Sequence, residues 1–286
     1  MSAAETAAAK PEFAPPIGNM PALQWCLLDQ LQVDDAYQRS IDNPGSQSMI
    51  RAIAKGWSWD LCQPLFVARR DDGSMYVVDG QHRLAAARLR SDITQLPCII
   101  SMTSGVNHEA RLFSEFNRRR RPPSQLDLYF ADLAAGDPVA ADIDVALSAA
   151  GLSMSKHTNA ATFKPGQVMN IAGLRACHRT FGLDVLSVAL LQMGKAWSGQ
   201  RLQYAGTLFP GIAEIARHER ALAQRSGRWA EGTRVQAIAP FLASRQQMDW
   251  YGLVMRSKGE QPGTNTHVVA GQVLLQHWTA KHPGGA

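Results

Sequence analysis

One stretch constrains this chain more than any other: Tyr76-Val77-Val78-Asp79-Gly80-Gln81-His82-Arg83-Leu84-Ala85-Ala86-Ala87-Arg88-Leu89. A short apolar run reads as a strand, Asp79-Gly80 as a turn, and the Ala-rich segment after it as a helix. Gly80 permits a positive φ or a close approach of backbone to a ligand. The first turn of the helix leaves backbone N–H groups unpaired, and its dipole favours an anion. Gln81, His82 and Arg83 add donors there, one a permanently charged guanidinium. The turn Asp79–Arg83 is therefore a candidate phosphate site. Asp79 either caps the helix or holds Arg83, and it could take Mg²⁺ beside a phosphate. His82 is a phosphate donor, a general acid or base, or plainly structural. Arg83 needs a partner if buried, and the candidates are Asp79, Glu115 and a bound phosphate.

The flanking pattern is mixed. Residues 24–36 read as a strand, Ser40 to Ser48 as a loop and Met49 to Lys55 as a helix. Leu65–Arg69 and Met75–Val78 form strands joined by Asp71-Asp72-Gly73, a hairpin signal. A helix over Gln81–Arg90 follows, then a strand at Pro97–Met102 and a helix over Asn107–Asn117. This order indicates an α+β domain. After Pro123 strand signals are sparse. Ser124 caps a helix beginning at Gln125, and further helices are expected at Val139–Ala150, Pro165–Phe181, Leu183–Trp197, Phe209–Arg220, Arg234–Met255 and Thr266–His277. Breaks fall at Gly151, Gly199 and Gly227-Arg228, and Ser257–Thr264 reads as an exposed loop. The expected organisation is a disordered leader at 1–20, an α+β domain at 21–123 and an all-α domain at 124–286.

Charge and cysteine usage bound the function. The net charge of +5 permits an anionic partner without requiring one. Its distribution says more: Arg118-Arg119-Arg120-Arg121 is a block with two readings, a solvated face, or a helix end whose arginines point in several directions, at least one expected to face the Arg83 turn and the others to form a sequence-independent phosphate contact surface. Cys26, Cys62, Cys98 and Cys177 match no zinc spacing and read as buried free thiols. No run is apolar enough to span a bilayer, and residues 1–16 lack the pattern of a signal peptide, so a cytoplasmic protein with no membrane partner is expected. No catalytic nucleophile, paired acid or metal-ligand set is evident, so catalytic residues stay unassigned. A faint helix-turn-helix suggestion at Leu186–Gly194 has poor spacing, and core packing is the simpler reading. Trp197, Trp229, Trp250 and Trp278 are expected in the core or an interface.

Asp79-Gly80-Gln81-His82-Arg83 resembles the signature of the ParB/sulfiredoxin superfamily, in its DGQHR-type branch of phage and plasmid ParB-like proteins. Val33-Asp34-Asp35-Ala36-Tyr37-Gln38-Arg39 is similar to that family's first box. Phe113-Ser114-Glu115-Phe116-Asn117-Arg118-Arg119-Arg120-Arg121-Pro122 resembles its Phe…Asn…Arg-Pro element. Three boxes in order make the resemblance specific over roughly residues 24–135. It implies a ParB/sulfiredoxin-like domain followed by helices. It also implies a phosphate or nucleotide site at Gln38, Arg39, Asp79, Gly80, Gln81, His82, Arg83 and Asn117. Tyr37 is expected to pack in the core. The chain departs from two relatives. Sulfiredoxins carry a nucleophilic cysteine where Gln81 stands, and an amide cannot attack an activated sulfinate. ParB partition proteins carry Glu there, and an amide is a weaker ligand for a hard metal.

The resemblance thus implies a nucleic-acid-associated regulatory protein of phage or plasmid type. Its cofactor would be a nucleoside triphosphate with Mg²⁺, and its partner DNA, with nucleotide and homo-oligomer as further candidates. The alternatives are a nucleotide triphosphatase or metal-dependent nuclease, for which Asp79, Glu115, Asp34 and Asp35 are the available acids, and a structural or oligomerisation module with a vestigial pocket.

Overall fold

The computed structural model describes residues 13–120, 122–157, 159, 162–223 and 232–283. Within the leader, residues 1–12 lie outside the described set, and Phe13, Ile17 and Met20 are exposed. The chain divides into two compact units, 1–121 and 122–286.

The first unit is built on a five-stranded mixed sheet in the order β1-β5-β3-β4-β2. Its strands are β1 (Ala22–Leu27), β2 (Leu31–Gln32), β3 (Leu65–Arg69), β4 (Met75–Asp79) and β5 (Gln95–Met102). The single strand expected over 24–36 is interrupted by a 3₁₀ turn at Leu28–Gln30, so it splits into β1 and β2 at opposite edges of the sheet. β3 and β4 form the expected hairpin. β5 lies parallel to β3, pairing Leu65 with Cys98 and Val67 with Ile100. Cys26, Leu31, Leu65, Val67, Val77, Leu96, Cys98 and Ile100 form the core together with Leu84 and Ala87 of α2 (Gln81–Arg88). α1 (Pro44–Lys55) packs on α2. The segment 40–48 is a loop only to Asn43. The Asn43 side chain accepts from Ser46 N–H and Pro44 sits in the first turn, so the helix starts five residues before Met49. α3 (Val106–Arg119) lies against β4, and Phe116 packs on Phe66 of β3 with centroids 4.6 Å apart.

The second unit is predominantly helical. It comprises α4 (Gln125–Ala134), α5 (Pro138–Ala149), α6 (Ile171–Phe181), α7 (Leu183–Ala196), α8 (Ala205–Leu222), α9 (Thr233–Gln236), α10 (Ile238–Ala243), α11 (Gln247–Glu260) and α12 (Thr266–Lys281). Ser124 closes a capping box with Asp127 at the start of α4. The unit is not all-α: β6 (Ser153–Met154) and β7 (Gln167–Val168) pair in parallel, so the helix expected from Pro165 begins only at Ile171, where Asn170 caps it. The expected helix over Arg234–Met255 is three helices, because the chain turns at Ala237 and again at Ser244–Gln246. α11 runs on to Glu260, which shortens the expected loop at 257–264 to its second half. Gly151 and Gly199 adopt positive φ at breaks, while Gly227-Arg228 and Trp229 lie outside the described residues. α7 buries Val185, Leu186, Val188, Ala189, Leu190, Gln192, Met193 and Gly194, so the Leu186–Gly194 segment is core rather than a groove-reading helix. Trp197, Trp250 and Trp278 are buried. Among the described residues no helix is long and apolar enough to cross a membrane.

Candidate functional site

The strand–turn–helix forms as its sequence implies, with one local device. In the β3–β4 ladder Phe66 pairs with Asp79 but Val67 pairs with Val77, so β4 carries an extra residue just before the turn. Such a bulge bends a strand and re-aims its last side chains. Gly80 follows at φ 104° and is the N-cap of α2, so Asp79 ends the strand and does not cap the helix. A Cβ on Gly80 would lie 2.4 Å from Leu65 Cδ2 and 3.0 Å from Arg83 Nη2. The first amides of α2 that bond back to Gly80 O are those of Arg83 and Leu84, so the Gln81 and His82 N–H groups precede the internal ladder.

Asp79 instead lies between two guanidiniums. Its Oδ2 accepts from Arg83 Nη2 at 3.3 Å and from Arg120 Nη2 at 3.2 Å. Arg83 is mostly buried and also donates through Nη1 to the carbonyls of Gln63 and Pro64, the latter at 3.0 Å. Burial pulls the Arg83 pKa below its usual value, against the opposing pull of Asp79. Glu115, the other candidate partner of Arg83, pairs with Arg119 at 2.6 Å. Burial, and then the charge of Arg39, lower the His82 pKa, which favours its neutral imidazole.

A cavity of about 450 Å³ opens over this turn. All eight residues expected at the site line it: Gln38, Arg39, Asp79, Gly80, Gln81, His82, Arg83 and Asn117. Arg120 joins them from the arginine block. The lining also carries less polar residues, Ile53, Trp57, Leu61, Cys62 and Phe113. The Trp57 indole N–H is buried there with no acceptor among the described residues. Cys62 is thus a pocket residue, only partly buried, whereas Cys26, Cys98 and Cys177 are buried free thiols. Arg118 is exposed, and Arg121 lies outside the described residues.

The Gln38–Arg39 wall belongs to a segment with no ladder of its own. Gln38 is buried and donates through Nε2 to Val77 O. Tyr37 does not vanish into the core: its hydroxyl donates to Glu109 Oε2 at 3.3 Å and its ring lies 6.0 Å from that of Phe113. Glu109 is wholly buried in the first turn of α3. It accepts from Arg70 Nε at 2.8 Å, Arg70 Nη2 at 2.7 Å and Thr103 Oγ1 at 3.1 Å. Arg70 Nη2 also meets Asp34 Oδ2 at 2.6 Å, and its guanidinium lies 3.6 Å from the Tyr76 ring centroid. Hydrogen bonds from Arg70 hold the Asp34 and Glu109 carboxyls below their ordinary pKa values. Sequence reasoning passed over Arg70 and Glu109. Their signal was weak: an acid in the first turn of a helix and a basic residue at a strand end, 39 positions apart.

Among the described residues lining the cavity, Asp79 is the only carboxylate, against Arg39, Arg83 and Arg120. The arrangement can therefore hold an anion of more than one charge, and it offers few hard-metal ligands of its own.

A family model described as a family of unknown function, DUF6551, matches residues 33–219. No curated protein matches the chain. Among solved structures, the C-terminally truncated chromosome-partitioning protein ParB from Caulobacter crescentus, complexed with CTP-gamma-S, is 14% identical. That alignment covers 77% of this chain and 98% of that one at a TM-score of 0.33. At that score the likeness assigns neither fold nor activity here. The family match spans well over half of the sequence, and the chain belongs to this family of unknown function.

Proposed function

We propose that the first unit binds a nucleoside triphosphate, phosphates against the Asp79–Arg83 turn, and that the protein is a ParB-like regulator associated with DNA. The observation that carries this reading is the cavity in which Arg39, Arg83 and Arg120 surround the single carboxylate of Asp79. Two charges in excess suit a terminal phosphate better than one phosphodiester of a DNA backbone. Its volume lies in the range of small-molecule sites. The less polar lining residues Ile53, Trp57, Leu61 and Phe113 suit a base. Mg²⁺ would enter on the phosphates, and the one carboxylate lining the cavity, Asp79, is already paired with Arg83 and Arg120.

Regulatory binding is favoured over hydrolysis by where the other acids lie. Asp34, Asp35 and Glu115 are not among the residues lining the cavity, so none stands beside Asp79 to hold a second ion. DNA contact is assigned to the exposed end of α3, at Arg118 and its neighbours, and self-association remains part of the proposal through the family resemblance. The test is a thermal shift screen of the four nucleoside triphosphates and a short DNA duplex, each with and without Mg²⁺, on wild type and Arg83→Ala. Stabilisation by a triphosphate in wild type alone is expected. Stabilisation by DNA alone would move the phosphate site to the DNA backbone, and no shift with any of them would leave a vestigial pocket.

A further inference from the structure

The walls of the cavity come from segments far apart in sequence, and one buried group touches two of them. Glu109 sits one helical turn before Phe113, two before Asn117 and three before Arg120, all of which line the cavity. Its carboxylate also receives the Tyr37 hydroxyl, immediately before Gln38 and Arg39 on the facing wall. Asp34 anchors the start of that same segment in two ways. Its Oδ1 accepts from Ala36 N–H at 3.0 Å, and its Oδ2 pairs with Arg70, which grips Glu109 through two nitrogens. Residues 33–43 contain no helix or strand, so these side chains do the work that a ladder does elsewhere.

We infer that Arg70 and Glu109, with Asp34 and Tyr37, form a clamp that sets the Gln38–Arg39 wall at its working distance from α3, making all four positioning residues for the pocket. The inference rests on the nucleotide reading of that pocket but assigns residues that the reading does not need. Arg70 is the hub: Asp34 reaches it from the loop and Glu109 from the helix, while its planar guanidinium lies over Tyr76 of β4. A bidentate guanidinium fixes direction as well as distance, which an ammonium cannot. Phosphate affinity from several arginines depends on their converging on one point, so a small shift of Arg39 is read directly as lost binding.

The experiment measures dissociation constants by isothermal titration, using the triphosphate that most stabilises wild type. The proteins are wild type, Arg83→Ala, Tyr37→Phe, Asp34→Asn, Asp34→Glu and, as a core control that does not line the pocket, Ile93→Val. Melting temperature is recorded for each. Tyr37→Phe and Asp34→Asn each remove a bond to the clamp and touch no ligand, so affinity is expected to weaken roughly threefold to tenfold, in line with one lost hydrogen bond. Ile93→Val is expected to bind as wild type at a similar loss in melting temperature. Asp34→Glu is expected to recover part of the lost affinity. Should Asp34→Asn fail to fold, Tyr37→Phe decides alone. If Arg83→Ala loses binding while Tyr37→Phe and Asp34→Asn bind as wild type, the clamp is overturned and the nucleotide reading stands. If wild type binds no triphosphate, the nucleotide reading falls and takes the clamp's role with it.

Discussion

Gly80 is constrained twice over, by a φ of 104° and by Leu65 at 2.4 Å from where a Cβ would stand. Gly80→Ala is therefore expected to lower stability by about 1–3 kcal/mol, the usual cost of a strained backbone position, as read by urea unfolding. A variant as stable as wild type would mean that the turn relaxes without cost. Arg83 is constrained by its partners: one guanidinium serves the Asp79 carboxylate and the carbonyls of Gln63 and Pro64. A lysine keeps the charge but lacks the flat fork, so Arg83→Lys is expected to lose roughly 1–3 kcal/mol by leaving acceptors unsatisfied. Both residues were legible in the sequence, because a turn and the helix start after it are local and their chemistry is carried by adjacent letters.

At the scale of elements, the part-buried Arg70–Glu109 pair, with Asp34 at its edge, links the end of β3, α3 and the 33–43 segment, beside the Phe66–Phe116 contact and the Gln38 bond to Val77 O. Hydrogen bonds from Arg70 depress both carboxyl pKa values in the folded protein. The unfolded chain therefore takes up protons first as pH falls, and acid favours unfolding. The stabilisation is present in full above the ordinary carboxylate range and is lost as pH drops through the depressed folded values. Urea unfolding as a function of pH is expected to show this loss in wild type. Arg70→Met is expected to be less stable at neutral pH and to lose less on acidification, since Glu109 would then be buried without its cation. An unchanged pH profile in that variant would contradict the assignment. This pair was not legible in advance because its partners meet only through the tertiary fold. The early start of α1 was missed for a nearer reason: Asn43-Pro44-Gly45 is turn chemistry, and it is also the chemistry of a capped helix start. The β6–β7 ladder, two residues on each side, is too short to leave a period in the sequence.

For the whole molecule, a net charge of +5 is modest, and much of the arginine block is already engaged: Arg119 with Glu115 and Arg120 with Asp79. DNA affinity is therefore expected to be weak and salt-dependent. Changing Arg118 and Arg119 to Ala should flatten the slope of log affinity against log salt by up to about 0.9 for each phosphate contact removed. The same change should leave triphosphate affinity nearly untouched, and a joint loss would mean that one surface serves both ligands. The mixed first unit and helical second unit were legible from the change of pattern after Pro123, whereas the cavity was legible only as a set of residue types. Its shape depends on how α3 lies against the sheet. The measurement that bears most directly on the central claim is isothermal titration of the favoured nucleoside triphosphate, with Mg²⁺, into wild type, Arg39→Ala, Arg83→Ala, Arg120→Ala and Arg118→Ala. The three lining arginines are each expected to cost about tenfold or more in affinity, as a charge-assisted hydrogen bond does, and Arg118→Ala almost nothing. A wild type and an Arg83→Ala protein with the same dissociation constant would contradict the account.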